Sequence, residues 1–184
     1  KYKVPVRVLS SFNDGNGTLI SLKDESMENA LVSGIAFQKD QVKFTLHSVG
    51  DTPGTAFKIL GPISDAEIEV DVIVQNVSID DKTDFTFTVS NEDKESVEKI
   101  LTDLKTEVDY KQVIINSDIA KVSLVGAGMR SQAGVASKAF KALSENDVNI
   151  QIICTSEIKI TMVIDEALVD KAVNVLHEEF ELEK

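Results

Sequence analysis

The sequence predicts an α+β protein that contains two copies of one folding unit in tandem. Three observations predict this: apolar and polar residues alternate as in half-buried strands, apolar residues recur at helical spacing between those strands, and the whole pattern occurs twice. The 184 residues include 42% hydrophobic and 27% charged side chains, which is ordinary for a globular chain. We expect residues 1–33 to form a linker with one strand, at 18–22, ahead of units spanning 34–117 and 118–184.

The first unit opens with a strand and a helix that are joined by a short turn. Val42, Phe44 and Leu46 alternate with polar residues, which predicts a strand with one buried face. The turn at residues 50–54 follows, and Pro53 is expected at the first helical position, where its missing N–H is not needed. The apolar positions at helical spacing in that helix are Ala56, Phe57, Leu60 and Ile63.

Two strands, a second helix and a closing strand complete the first unit. The run Ile68–Asn76 predicts a strand, and Asp80-Asp81-Lys82 predicts a hairpin that leads into another strand at 83–89. Helical spacing then returns, with Ser90 or Asn91 as the candidate N-cap, before a short closing strand. The order βαββαβ is the ferredoxin-like arrangement, which has an antiparallel sheet.

Up to the hairpin, the first unit aligns with the second at one constant offset in residue number. At that offset Val42 lies over Val122, and Gly54 lies over Gly134. Beyond the hairpin the offset becomes smaller, since Phe85 lies over Ile160, and this predicts a shorter hairpin in the second unit. Apolar positions fall on apolar positions almost throughout, so we expect two tandem ferredoxin-like units with equivalent cores.

Composition and charge argue against several classes of partner. Nineteen basic and 31 acidic residues give a formal charge of −12, which repels nucleic acid and anionic membrane surfaces. No apolar run approaches the ~20 residues of a membrane-spanning helix. A single cysteine, Cys154, allows no disulfide within the chain, so we expect a reducing, cytoplasmic location. The first residue is lysine rather than methionine and no signal-like segment precedes the first unit, so Lys1 is interpreted as a cut edge.

Two features suggest other functions but fit a structural role better. Gly126 and Gly128 lie between a strand and a helix, as in NAD-binding folds, but the first unit has no equivalent glycines. Phe85 and Phe87 stand where RNA-recognition folds place stacking aromatics, but their partners in the second unit are aliphatic. We therefore expect both phenylalanines in a helix-covered core. Neither the histidines nor Cys154 has a recognisable catalytic partner, so no catalytic residue, metal site or cofactor is predicted.

The turn before the first helix is the candidate ligand site. A helix N-terminus offers N–H groups and partial positive charge to a carboxylate, while Asp51 beside it suits an ammonium group. Gln75 and Asn76, at the end of the next strand, add amides that both donate and accept. Together these groups suit a small zwitterion. The alternative is that Asp51 caps the helix and the amides merely end a strand.

Several strings within residues 33–165 closely resemble the paired ACT domains of aspartate kinase. They are D-x-P-G at 51–54, V-Q-N-V-S at 74–78, G-A-G-M at 126–129 and T-S-E-I-K-I at 155–160. The opening KYKVPVRVLSSFND resembles the segment that leaves the kinase domain of that family. The resemblance implies a non-catalytic regulatory subunit or region that forms a homodimer through its ACT units. It also implies a kinase catalytic domain or subunit as partner, and an amino-acid effector, chiefly threonine and often lysine with it.

The same resemblance implies which residues contact the effector, and it places the N-terminal strand with the second unit. The first set is Asp51, Gly54, Ala56, Gln75, Asn76, Asn149 and Ile150. A possible second site is lined by Ser78, Gln132, Val135, Ala136, Ser156 and Glu157. The second turn has Gln132 and Ala133 where the family often has histidine and proline, which weakens the prediction of a lysine-associated second site. A non-sensing dimerisation domain of the same fold is the alternative function.

Overall fold

The computed structural model describes residues 6–12, 15–20, 32–76, 80–126 and 134–182. Strands β1 (Val6–Val8) and β2 (Thr18–Ile20) form a separate antiparallel ribbon. The strand predicted at residues 18–22 is therefore confirmed over Thr18–Ile20. Its hydrogen-bonded partner is β1, and the placement of the N-terminal strand with the second unit stays a prediction.

The remaining elements form one six-stranded sheet with four helices. In the first half they are β3 (Gly34–Gly50), α1 (Thr55–Asp65), β4 (Ile73–Gln75), β5 (Lys82–Ser90) and α2 (Lys94–Leu104). In the second half they are β6 (Gln112–Val125), α3 (Val135–Glu145), β7 (Ile152–Thr155), β8 (Lys159–Asp165) and α4 (Val169–Glu179). The strand order is β4-β5-β3-β6-β8-β7 and every neighbouring pair is antiparallel, which confirms the predicted α+β class.

Strands β3 and β6 run through both halves of the sheet. Residues 41–50 of β3 pair with β5, whereas residues 34–38 pair only with β6, opposite residues 121–125. In β6, pairing with β8 begins at Ile119. The first part of β6 thus closes the first half of the sheet, and the first part of β3 closes the second. The unit limits at 33/34 and 117/118 stay predictions.

The internal repeat is visible in the backbone. Helices α1 and α3 begin at the aligned residues Thr55 and Val135, and α2 and α4 begin at Lys94 and Val169, which align at the smaller offset. Each of α2 and α4 is preceded by one 3₁₀ turn. After α1 and α3 the chain leaves through equivalent left-handed residues, Glu67 (φ 59°) and Asp147 (φ 55°). The change of offset therefore falls between the edge strands and β5 or β8, as the sequence predicts.

Each half has its own hydrophobic core between its two helices and one face of the sheet. In the first core the Phe44 and Phe87 rings stack with centroids 5.5 Å apart. Phe85 and Phe87 are 1% and 0% exposed, which confirms that both belong to a helix-covered core. The second core uses smaller side chains, including Ala120, Ala139 and Ala172.

Helix α1 differs from the prediction in two respects. Pro53 is not at the first helical position, because Gly54 occupies the N-cap in a left-handed conformation (φ 93°) and the helix begins at Thr55. The apolar face is also displaced, since Ala56 is exposed and Phe57 is 79% exposed. The buried residues of α1 are Thr55, Ile59 and Ile63.

One further local prediction is confirmed only in part, and another was wrong. The strand predicted over Ile68–Asn76 is only three residues long, because the chain reaches the sheet edge late; Asp71 and Val72 approach it through hydrogen bonds with Thr88. Neither Ser90 nor Asn91 caps α2 with its side chain, because a 3₁₀ turn intervenes.

No helix in the described ranges is long and apolar enough to span a membrane.

Candidate functional site

The turn between β3 and α1 is held by its own hydrogen bonds. Thr55 Oγ1 donates to the carbonyl oxygen of Gly50 at 3.0 Å and lies 3.0 Å from Thr52 Oγ1. The backbone N–H of Asp51 donates to the carbonyl oxygen of Asp81 at 2.9 Å, which ties the turn to the neighbouring hairpin. These hydrogen bonds hold the turn in one conformation. Sequence reasoning missed the part played by Thr55, whose signal was a hydroxyl directly after D-x-P-G.

The N-terminus of α1 has neither a side-chain cap nor an acidic residue in its first turn. Asp51 does not cap the helix, so that part of the alternative interpretation is wrong, whereas the part in which Gln75 and Asn76 merely end a strand is not tested. Asp51 Oδ1 instead accepts a hydrogen bond from Gln75 Nε2 at 3.2 Å. Because no carboxylate neutralises the first turn, the partial positive charge of the helix stays available to an anion.

The structure gathers the predicted first-half residues at one end of the sheet. Asp51 and Gln75 are in contact, and both are exposed. Asn76 is exposed beside Gln75, and its backbone carbonyl accepts a hydrogen bond from Thr83 Oγ1 at 2.8 Å. Gly54 and Ala56, also exposed, flank the first residue of α1. A carboxylate, two amides and a helix N-terminus thus lie together on an accessible surface.

Asn149 and Ile150 lie elsewhere in the chain. They precede β7, at the opposite edge of the sheet from β4, so the two groups of residues are on different edges. Asn149 is exposed and Ile150 is partly buried against the second core. Both line a groove of about 450 Å³, together with Phe140, Ser144, Asp147 and Val148.

The possible second site repeats only part of the first. Gly134 (φ 103°) precedes α3, which again has no side-chain cap and no acidic residue in its first turn. Val135 is 3% exposed in the second core, so an effector would meet its backbone and not its side chain. Ala136 is half-buried, while Ser156 and Glu157 are exposed where β7 turns into β8. Ser78 and Gln132 lie outside the described residues.

Both halves of this arrangement match one family. Residues 46–109 and residues 122–180 each match the ACT domain. The fold and the paired turn-to-helix surfaces therefore define a tandem ACT-domain chain.

Comparison with individual proteins shows which kind of ACT-domain chain this is. The aspartate kinase of Pseudomonas fluorescens (strain SBW25) is 55% identical over 184 residues, which are 100% of this chain and 45% of that protein. A crystal structure of aspartokinase alpha and beta subunits is 44% identical, with a TM-score of 0.77, and the match covers 82% of this chain and 99% of that one. The ligand-free regulatory subunit of aspartate kinase from Thermus thermophilus is 31% identical, with a TM-score of 0.77. That match also covers 82% of this chain and 99% of the other. The chain belongs to the ACT regulatory regions of the aspartate kinase family, and it spans less than half of the Pseudomonas protein.

Proposed function

We propose that this ACT region binds a small amino acid, threonine with lysine as the second candidate, and thereby controls feedback inhibition of aspartate phosphorylation. The observation that carries the proposal is the contact between Gln75 Nε2 and Asp51 Oδ1 at the uncapped N-terminus of α1. It brings a carboxylate that suits an ammonium group beside N–H groups that suit a carboxylate. Gln75 retains its amide oxygen for the side-chain hydroxyl of threonine.

The position of Asn149 and Ile150 supports a site shared between two chains. Because β4 and β7 are opposite edges of one sheet, we propose that the β4 end of one chain meets the groove at Asn149 in a partner chain. The effector would then bind more tightly to one dimer arrangement than to another. That difference in affinity is what shifts the equilibrium, typically by about 1–3 kcal/mol of coupling. A kinase catalytic domain or subunit is the partner that would respond.

Calorimetric titration tests the binding proposal directly. The chain is titrated with threonine, lysine, methionine and isoleucine, and we expect saturable heat with threonine. Saturation with lysine alone would reassign the effector but keep the class of ligand. Heat from none of the four amino acids would contradict the proposal.

A non-sensing dimerisation domain is a second candidate function, and one observation favours it. Ile73 on β4 and Ile153 on β7 are repeat-related, and each is 48% exposed on an edge strand. Exposed apolar edge strands are common sites of association between chains. Size measurement with and without amino acid separates the two functions, because a purely structural dimer forms equally well in both conditions.

A further inference from the structure

Two repeat-related residues reach from one half of the sheet to the other. Asp71, just before β4, forms an ion pair through Oδ2 with Lys121 Nζ of β6. Gln151, its equivalent in the second half and just before β7, accepts a hydrogen bond from Lys43 Nζ of β3 at 2.5 Å. Its Oε1 also lies 3.5 Å from Asn116 Nδ2. Each half is thus attached to the other by the residue that leads into its edge strand.

Lys121, which forms the first of these contacts, is buried and therefore requires a partner for its charge. Lys121 is 4% exposed, and its neighbours Ala120 and Val122 lie in the second core. Because side chains alternate along a strand, the Lys121 side chain lies on the sheet face away from that core. A buried ammonium group is stable only while a carboxylate stays beside it. The ion pair therefore fixes the position of Asp71 against the second half of the sheet.

Asp71 is also firmly connected to the candidate effector site. Its backbone N–H donates to the carbonyl oxygen of Thr88 at 3.1 Å, and the next residue, Val72, donates to Thr88 Oγ1 at 3.2 Å. Four residues after Asp71, Gln75 contacts Asp51. A ligand that moves Gln75 therefore also moves β4. Asp71, just before β4, is the residue that is paired with Lys121.

The ion pair lines a small cavity. A cavity of about 170 Å³ lies beside Asp71 and Lys121 and is lined by the polar side chains of Gln38, Ser123, Lys159 and Thr161 among others. The Asp71 side chain is 46% exposed and the Lys121 side chain is 5% exposed, so water reaches the carboxylate while the buried ammonium group depends on Asp71 as its partner. In the second contact, burial lowers the pKa of the Lys43 ammonium group.

We propose that Asp71 and Lys121 are positioning residues that couple the effector turn of the first ACT unit to the second ACT unit. The inference rests on the proposed function for its ligand, but the coupling itself exists without a ligand. Gln151 and Lys43 form the reciprocal contact.

The ligand-free arm of the test is a double-mutant cycle. Amide hydrogen exchange of β8 is measured in the wild type, Asp71→Asn, Lys121→Met and the double variant. We expect each single change to raise exchange in β8 by about fivefold or more, and the double change to add little, since the two residues act as a pair. Lys159→Met, which removes an exposed lysine from the same cavity, is the matched control and should change little in β8 beyond the amides next to the substitution. Additive effects, or no effect, would overturn the coupling.

Lys121→Arg keeps the positive charge and is expected to keep exchange close to that of the wild type. It therefore separates loss of the ion pair from loss of packing if Lys121→Met or Asp71→Asn does not fold.

The second arm adds threonine, and lysine in a parallel series. In the wild type we expect threonine to slow exchange in both β4 and β8. In Asp71→Asn it should still bind and slow exchange in β4, while the effect on β8 is lost. An unchanged effect on β8 would overturn the inference. If the wild type binds neither amino acid, the proposed function fails, whereas the ligand-free cycle still decides whether the two residues couple the units.

Discussion

Gly54 and Gly134, at equivalent positions of the repeat, adopt the same left-handed conformation (φ 93° and 103°) directly before helices of 11 residues each. Among the described residues, and apart from each glycine's own chain neighbours, no heavy atom lies within 4 Å of a Cβ built on either glycine. A side chain would therefore have room at both positions. It is the left-handed backbone conformation that favours glycine there. Both ACT turns depend on it to start their helices without a side-chain cap.

We expect Gly54→Ala to lower the free energy of unfolding by about 1–2 kcal/mol, because an L-residue is strained in the left-handed region. Urea unfolding without effector measures the loss. Gly50→Ala is the matched control, since Gly50 also has open space around it but does not have a positive φ. The control should stay within about 0.5 kcal/mol of the wild type. Equal losses in both variants would show that conformation is not the cause.

Gln75→Ala is expected to weaken threonine binding at least about tenfold without unfolding the chain. Gln75 is exposed, so it contributes little to the core, whereas hydrogen bonds to charged groups are worth about 1.5–3 kcal/mol. Titration calorimetry measures the affinity, and the melting temperature reports the fold. Asn91→Ala removes an exposed amide from another surface and should leave affinity unchanged. Equal affinity in the wild type and Gln75→Ala would remove Gln75 from the site.

The fold was predictable from the sequence where local pattern and tertiary packing agree. The alternation at Val42, Phe44 and Leu46 and the matching of apolar positions between the two halves of the chain indicated both units. Periodicity could not show that the closing strand of the first unit and the opening strand of the second are one strand, β6. Polar residues at 116–118 separate the two apolar stretches and resemble a break, yet pairing with β3 carries the chain through them.

The candidate site was predictable as a set of residue types but not as a set of contacts. D-x-P-G marked the turn, but Pro53 lies outside the helix because Gly54 takes the N-cap position. The contact between Asp51 and Gln75 joins residues 24 apart in sequence, which no local pattern reports. The pairing of Asp71 with Lys121 joins residues 50 apart and depends on how the two halves of the sheet meet.

The aromatic stack of the first core gives a stability prediction. Phe87 is 0% exposed and stacks on Phe44, so Phe87→Ala should lower the free energy of unfolding by about 3–5 kcal/mol. Phe57 is 79% exposed on α1, so Phe57→Ala is expected to change it by no more than about 0.5 kcal/mol. Urea unfolding of the two variants makes the comparison. A large loss in Phe57→Ala would show that its ring is buried in solution, for example by a second chain.

Tyr110 gives a prediction of pH dependence. It is 8% exposed, and its hydroxyl donates to the carbonyl oxygen of Leu101 at 2.7 Å. Burial raises the pKa of the Tyr110 phenol above its usual value of about 10. The folded state therefore keeps the proton at a pH where the unfolded state releases it. The stabilisation by Tyr110 is complete below about pH 10 and is lost as the pH rises from there through the folded-state pKa.

Tyr110→Phe isolates this effect. At pH 8 we expect the variant to be less stable than the wild type by about 1 kcal/mol, the usual worth of a hydrogen bond. Above pH 10 that difference should shrink, by at most about 1.4 kcal/mol per pH unit, because only the wild type loses stability through the phenol. Lys43 acts in the opposite direction, since its lowered pKa makes the fold more stable as the pH rises, but it is present in both proteins and cancels. Urea unfolding between pH 8 and 11 measures the difference, and a difference that is constant with pH would mean that the phenol titrates equally in both states.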